Sequence, residues 1–502
     1  MRSFFPEYAC LDVHPMGMAH RYGVNGKVSG QLAALMEIEG CVPILHGPAG
    51  CVFHYRRSMR TRLRPFWAME ATDMRDADVV FGGEEKLRAA LEKAVKREPD
   101  LIAILSSCAA DIVQDDIEGI VRDFQKTLGE QSRPHFLTVR STVFSHPDKS
   151  SFIQRMKERV HNDGKKPGAL ASTAQFAGCG FVEVMEALVE KIMEPQDKEP
   201  GTLNIESFGW GYGGREKLQA VVRLLARMGI RTNTLLPTAS LEEIAAAPKA
   251  ELNLARRKRW AERMEERFGT SCLHFPNLTE WYGIEGIRAF YDRIAGALGK
   301  EKAAKAVLDE EEKAALPALR EAREYLSRQT YGLITMAIGM IPEYIRVYEE
   351  TYHMPLAFIC LIQPSDYAEK SRLDEETLDK MRANVDRALQ TAGSQAVFYE
   401  NPSEAEIKRA IQKVDCLLGD SLEHYEKYGC PIVADYYDMR PLDMRDYARG
   451  LTELAGAVGR RRSKTHLLLS RIAYSRERYP LLAEENSLAS REMWDRMWRL
   501  RG

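Results

Sequence analysis

Two cysteines stand where reactive groups are easiest to build. In GCVPILHGPAGC, Gly40–Cys51, a short apolar run at Val42–Leu45 stops at His46-Gly47-Pro48, and the thiol of Cys51 follows Gly50. In DLIAILSSC a second run, Asp100–Leu105, stops at Ser106-Ser107, and Cys108 follows at once. Glycine and proline end a strand and open a tight turn, so each thiol is expected at a strand-to-helix corner. The carboxyl ends of strands in an open α/β sheet are the usual ligand crevice, and a helix start favours thiolate over thiol. Thiolates bind iron and zinc or attack electrophiles. The plain alternative for either cysteine is a small apolar residue packed in a turn. Two such corners side by side weigh against it.

The elements that must position the thiols follow from the flanking pattern. A helix over Ser29–Glu39 feeds the first corner, and Val52–Arg60 reads as a helix leaving it. Between the corners, Asp78–Leu91 (DVVFGGEEKLRAAL) is an apolar run, a glycine pair and a helix. Beyond Cys108, Ala109–Phe124 is expected as one amphipathic helix. Further on comes the glycine-rich patch Ser172–Gly180 (STAQFAGCG), with a helix before it and another at Phe181–Met193.

HGPAGC, D-x-VFGG-x-x-x-L-x-x-AL, SSC-x-x-DI-x-x-DDI and the patch at Ser172–Gly180 together resemble component 1 of nitrogenase and its relatives, in family order across roughly the first 190 residues. That family holds the two large nitrogenase subunits, their cofactor-assembly scaffold and the tetrapyrrole reductases. The resemblance implies a subunit of an ATP-dependent two-component reductase that relays electrons through an iron–sulfur cluster. The cluster, 4Fe–4S or P-cluster-like, would be held by Cys51 and Cys108 and shared with a partner subunit, which could also hold most of a larger metal cofactor. The implied partners are a second component 1 chain, in a heterotetramer, and a homodimeric iron protein that hydrolyses ATP. The family's assembly scaffold, without turnover of its own, is the alternative, and a metal- or ligand-binding module without catalysis is a third.

The sequence also departs from the family. Its first cluster cysteine would fall where this chain has Asn25-Gly26-Lys27. Either the partner supplies more ligands, or the cluster is smaller, or Cys10 or Asp12 of the N-terminal Cys-x-Asp-x-His stretch substitutes. Cys41 is expected in the core. The cysteine and histidine that hold the large cofactor in the nitrogenase α-subunit have no counterpart in LNLARRKRWAERMEERFG, 252–269, or in ADYYDMRPLD, 434–443. The resemblance is therefore to a β-like subunit or a relative with a different active site. Cys272, His274 and His424 remain candidate pocket residues, each also explicable as structural.

Alternating apolar runs and amphipathic helices continue to the end of the chain, the pattern of parallel sheets with flanking helices. The fold class is α/β, with three Rossmann-like units and a helical C-terminal tail: residues 1–198 with the cluster cysteines, 199–328, and 329–502. DCLLGDS at Asp415–Ser421 and GCPIV at Gly429–Val433 resemble the family's third unit. Trp494 and Trp498 share a face of the tail, which suits a subunit contact. The loop GWGYGG, Gly209–Gly214, lacks the spacing of a phosphate cradle, and no G-x-x-x-x-G-K-S/T occurs, so ATP is expected on a partner. Five arginines at Arg56, Arg57, Arg60, Arg62 and Arg64 form either a solvated face or a docking surface for that partner.

Composition narrows the classes further. A chain of 502 residues with 45% hydrophobic content and a net charge of −2 is expected to be globular, with no general attraction to nucleic acid or acidic lipid. No apolar run approaches the ~20 residues that span a bilayer. Pro6, Glu7 and Asp12 interrupt the N-terminal stretch and argue against a signal peptide. Nine scattered cysteines without such a signal are read as reduced thiols or ligands in a cytoplasmic protein.

Overall fold

A computed structural model describes residues 27–52, 69–128, 134–139, 174–207, 214–275, 283–335, 338–362, 375–419, 425, 428, 432–434 and 443–459. Three parallel sheets with flanking helices account for its architecture, as the alternating pattern predicts. In the first sheet, β1 (Cys41–His46), β2 (Glu70–Ala71), β3 (Leu101–Ser106) and β4 (His135–Val139) lie in the order β2-β1-β3-β4. In the second, β5 (Glu199–Glu206), β6 (Arg231–Leu236), β7 (Ala250–Ala255) and β8 (Ser271–His274) lie in the order β6-β5-β7-β8. In the third, β9 (Tyr331–Thr335), β10 (Leu356–Leu361), β11 (Val397–Glu400), β12 (Cys416–Gly419) and β13 (Ile432–Ala434) lie in the order β11-β10-β9-β12-β13.

Every residue of β1 and β3 is buried, which explains why they read as unbroken apolar runs rather than alternating ones. They pair in register from Cys41 with Leu101 to His46 with Ser106. The chain leaves β1 towards β2 on one side and reaches β4 from β3 on the other, so the strand order reverses between β1 and β3. In open α/β sheets that reversal opens a crevice at the carboxyl ends.

The hydrophobic core does not stop at the sheets. Leu105, Leu137, Phe181 and Met185 of the first unit form one cluster with Ile244, Trp260 and Met264, which follow the second sheet's strands. A second cluster joins Leu203, Leu254 and Phe290 to Tyr331, Leu356 and Tyr447. The basic helix Lys258–Phe268 puts part of its charge into this packing. Its Arg259 and Arg263 pair with Glu186 and Glu190 of the helix Ala174–Lys191.

Four local expectations are corrected. The glycines at Gly178–Gly180 do not separate two helices but lie inside the single helix Ala174–Lys191. Its buried face at Phe181, Val184, Met185, Leu188 and Val189 outweighs the ~1 kcal/mol each glycine costs in a helix. The run Asp78–Phe81 is helical, within Asp76–Phe81, where Asp76 and Asp78 favour a first turn. Ile341–Tyr352, which the alternating pattern of the third unit predicts as one helix, starts as α and relaxes into a π turn at Arg346–Thr351. The helix after Cys108 is broken in two, Cys108–Val113 and Ile117–Leu128, with Gln114 left-handed at φ 63°. Among the described residues no helix is long and apolar enough to cross a membrane.

Candidate metal centre

Register brings the two cysteine corners together. His46 and Ser106 end adjacent strands, and the Ser107 N–H donates to the His46 carbonyl at 2.9 Å. From there one chain turns through Gly47-Pro48 into a helical turn holding Cys51, its Val52 N–H reaching the Pro48 carbonyl at 3.2 Å. The other enters Cys108–Val113 with Ser107 as N-cap, its hydroxyl accepting from the Ala110 N–H at 3.3 Å. The two turns touch: a β-carbon on Gly47 would stand 2.3 Å from the Ser107 Oγ. That contact is the physical reason for glycine in HGP.

A third corner locks onto these two. His46 is fully buried. Its Nε2–H donates to Asp115 Oδ2 at 2.8 Å, and its Nδ1 faces the Thr72 hydroxyl at 3.2 Å. Thr72 also accepts from the Gly47 N–H at 2.9 Å. The Asp115 carboxylate receives the Gly83 N–H at 3.0 Å. A β-carbon on Gly83 would lie 2.7 Å from the His46 ring, and Gly82 has φ 100° and ψ 149°, backbone that suits glycine alone. Thus HGP, FGG and the aspartate of DDI, three stretches far apart in sequence, form one hydrogen-bonded knot beneath the cysteine corners. Burial lowers the His46 pKa below 6.5, against the pull of the Asp115 bond and charge. A neutral ring then gives its Nε2 proton to Asp115 and accepts the Thr72 hydroxyl at Nδ1.

The sequence did not single out His46 and Asp115 as partners. The signal available was a histidine at the end of one buried apolar run and an acidic pair in the stretch that follows the other. Nor did it anticipate that Val80 and Phe81, beside this knot, stand 69% and 88% exposed.

The cysteines sort by environment. Cys51 is half-buried at its corner, whereas Cys41, Cys360 and Cys416 are sealed in the core. Cys41 is thus the core residue it was expected to be. Cys272 is half-buried in β8, and burial with Glu265 and Glu262 nearby pushes its thiol up to about 11, which disfavours ligation. His274 donates its Nε2 proton to the Arg256 carbonyl at 3.1 Å and is held neutral by burial. Both fit the structural alternative. At the second sheet's own reversal, the buried Glu206 accepts the Arg256 and Arg257 N–H groups at 3.0 and 3.1 Å and the Trp260 indole at 3.0 Å. A carboxylate of the chain itself therefore fills the helix N-terminus where an anion could sit.

The backbone of Cys108 opens its helix, but its side chain lies outside the described set, as does that of Cys179. Cys10, Asp12, Asn25-Gly26, the arginines from Arg56 to Arg64, the loop before Gly214, His424, 435–442 and the tail with Trp494 and Trp498 also lie outside it. Among the described residues no three His, Cys, Asp or Glu side chains gather as a metal site. Two thiols can hold an iron–sulfur cluster only with ligands from elsewhere.

A family model for nitrogenase component 1 type oxidoreductases matches residues 27–442. The chain belongs to that family. It is 27% identical over 310 residues to the nitrogenase iron-molybdenum cofactor biosynthesis protein NifE of Clostridium pasteurianum, covering 58% of this chain and 59% of that protein. It is 24% identical over 230 residues to the nitrogenase molybdenum-iron protein beta chain of Methanococcus maripaludis strain S2, covering 45% and 43%. The alpha chain of Methanosarcina barkeri matches at 25% over 288 residues, covering 54% and 46%. The chain thus spans between 43% and 59% of the length of these relatives. The solved nitrogenase Cp1 at pH 6.5 superimposes with a TM-score of 0.60 at 16% identity, over 89% of this chain and 96% of that one, a likeness of fold.

Proposed function

We propose that this family member is the subunit of a two-component, ATP-dependent reductase that holds an iron–sulfur cluster through Cys51 and Cys108. The observation that carries the proposal is the in-register end of β1 and β3, with the half-buried Cys51 leaving one strand and the backbone of Cys108 leaving the other. The bound cluster would supply single-electron transfer. The chain's own part would be to hold two thiols at the mouth of a sheet, over a closed polar knot, while a partner completes the ligand set. Such a shared cluster implies a second component 1 chain, in a heterotetramer, and a separate iron protein that hydrolyses ATP. The exposed Val80–Phe81 pair beside the knot is the kind of surface a partner covers. A cytoplasmic setting suits reduced thiols and an oxygen-sensitive group, and the units 1–198, 199–328 and 329–502 complete the proposed organisation.

The resemblance to NifE supports a second reading, a scaffold on which a nitrogenase-type metal cofactor matures. One anaerobic experiment separates them. The chain, purified with its co-expressed partner, is supplied with the iron protein, ATP and a low-potential reductant. ATP-dependent reduction of a substrate supports the reductase. No reduction, together with transfer of a metal cofactor to an apo-acceptor, supports the scaffold.

A further inference from the structure

We infer that Asp115 is a positioning residue that fixes the Cys51 corner relative to the Cys108 corner. The inference deepens the function proposed above and rests on it for the identity of the bound group. Asp115 lies just beyond the helix Cys108–Val113, past the left-handed Gln114, and its side chain is only 8% exposed. Its carboxylate reaches back to two other stretches: Nε2 of His46, at the end of the strand that leads to Cys51, and the N–H of Gly83, two residues after the exposed Phe81. The break at Gln114, which the amphipathic pattern does not predict, allows this. A continuous helix would carry residue 115 onward along its axis instead of turning it back.

A buried carboxylate with two hydrogen bonds costs free energy unless both are kept, so the three stretches are held in one arrangement. Steric closeness removes the slack. Gly47 and Gly83 sit where any side chain would strike Ser107 or His46. Asp115 and His46 themselves are not ligands; they act through the corners they tie together. Moving Asp115 would therefore alter the spacing of the thiols without unfolding the sheet.

The test uses the full chain, stripped of metal and treated with a short bifunctional thiol reagent, with Cys51–Cys108 cross-linked peptide quantified by mass spectrometry. Asp115→Ala should lower the cross-link yield about tenfold, because the charge-assisted bonds that hold the two corners in one arrangement are lost. Asp115→Asn keeps the shape with neutral bonds and should lower it less, about threefold, which preserves the test if the alanine variant does not fold. Far-UV circular dichroism should stay unchanged. In the anaerobic, metal-loaded protein the electron paramagnetic resonance line of the reduced cluster should broaden in the same order. Equal yields and equal lines in all folded forms overturn the role of Asp115 while leaving a cluster in place. A wild-type chain that holds no iron, yet loses its cross-link in the variants, keeps the role of Asp115 and overturns the cluster.

Discussion

Gly47 and Ser107, sixty residues apart in sequence, approach so closely that a β-carbon on the glycine would lie 2.3 Å from the serine hydroxyl. That hydroxyl is also the N-cap of the helix that Cys108 opens. Gly47→Ala should therefore cost about 2–4 kcal/mol, combining the lost cap with overpacking. Gly50, with nothing within 4 Å of its would-be β-carbon, is the control. Gly50→Ala should stay within about 0.5 kcal/mol of wild type. Denaturant midpoints of the two variants check this, and equal midpoints would contradict it.

His46 ties stability to pH. Burial, opposed by Asp115, lowers its folded pKa below the ordinary 6.5. The unfolded chain then binds the proton first as pH falls. Stability from this group is complete above 6.5 and is lost as pH drops from there through the lowered folded value. His274 and His353 are displaced in the same direction, so the readout is a difference. The thermal midpoint of His46→Gln should fall less steeply than that of wild type between 6.5 and about pH 5. Parallel curves would contradict the assignment.

Thiol chemistry should follow the same map. With its thiol pushed up to about 11, Cys272 is ionised to about one part in a thousand at about pH 8. Cys360, pushed to about 12 and sealed in β10, is less ionised still. In metal-stripped, folded protein, iodoacetamide should alkylate Cys51 well before either, as timed by mass spectrometry. Cys272 reacting as fast as Cys51 would place a reactive thiol in the second unit.

The large outlines of this molecule were legible because burial writes itself plainly. Strands such as Leu101–Ser106 are buried on both faces and read as unbroken apolar runs, and the glycine and serine corners after them read as turns. What stayed hidden was long-range and polar. Nothing local says that Asp115 must turn back to His46, so the helical period ran straight through Gln114. The glycines before Phe181 looked like a loop because the packing that overrules them lies in other elements, including Gln31, which donates to Glu183 at 2.8 Å. The corners could be found from residue types, but the knot that joins them needed the fold.

Iron bound by the chain itself tests the central claim most directly. The wild type, Cys51→Ala, Cys108→Ala and Cys179→Ala are purified anaerobically with their partner, and iron and acid-labile sulfide are measured per chain. The wild type and Cys179→Ala should hold equal iron and sulfide, while Cys51→Ala and Cys108→Ala should each lose most of both. Equal iron in all four preparations would mean that no cluster sits on these two thiols.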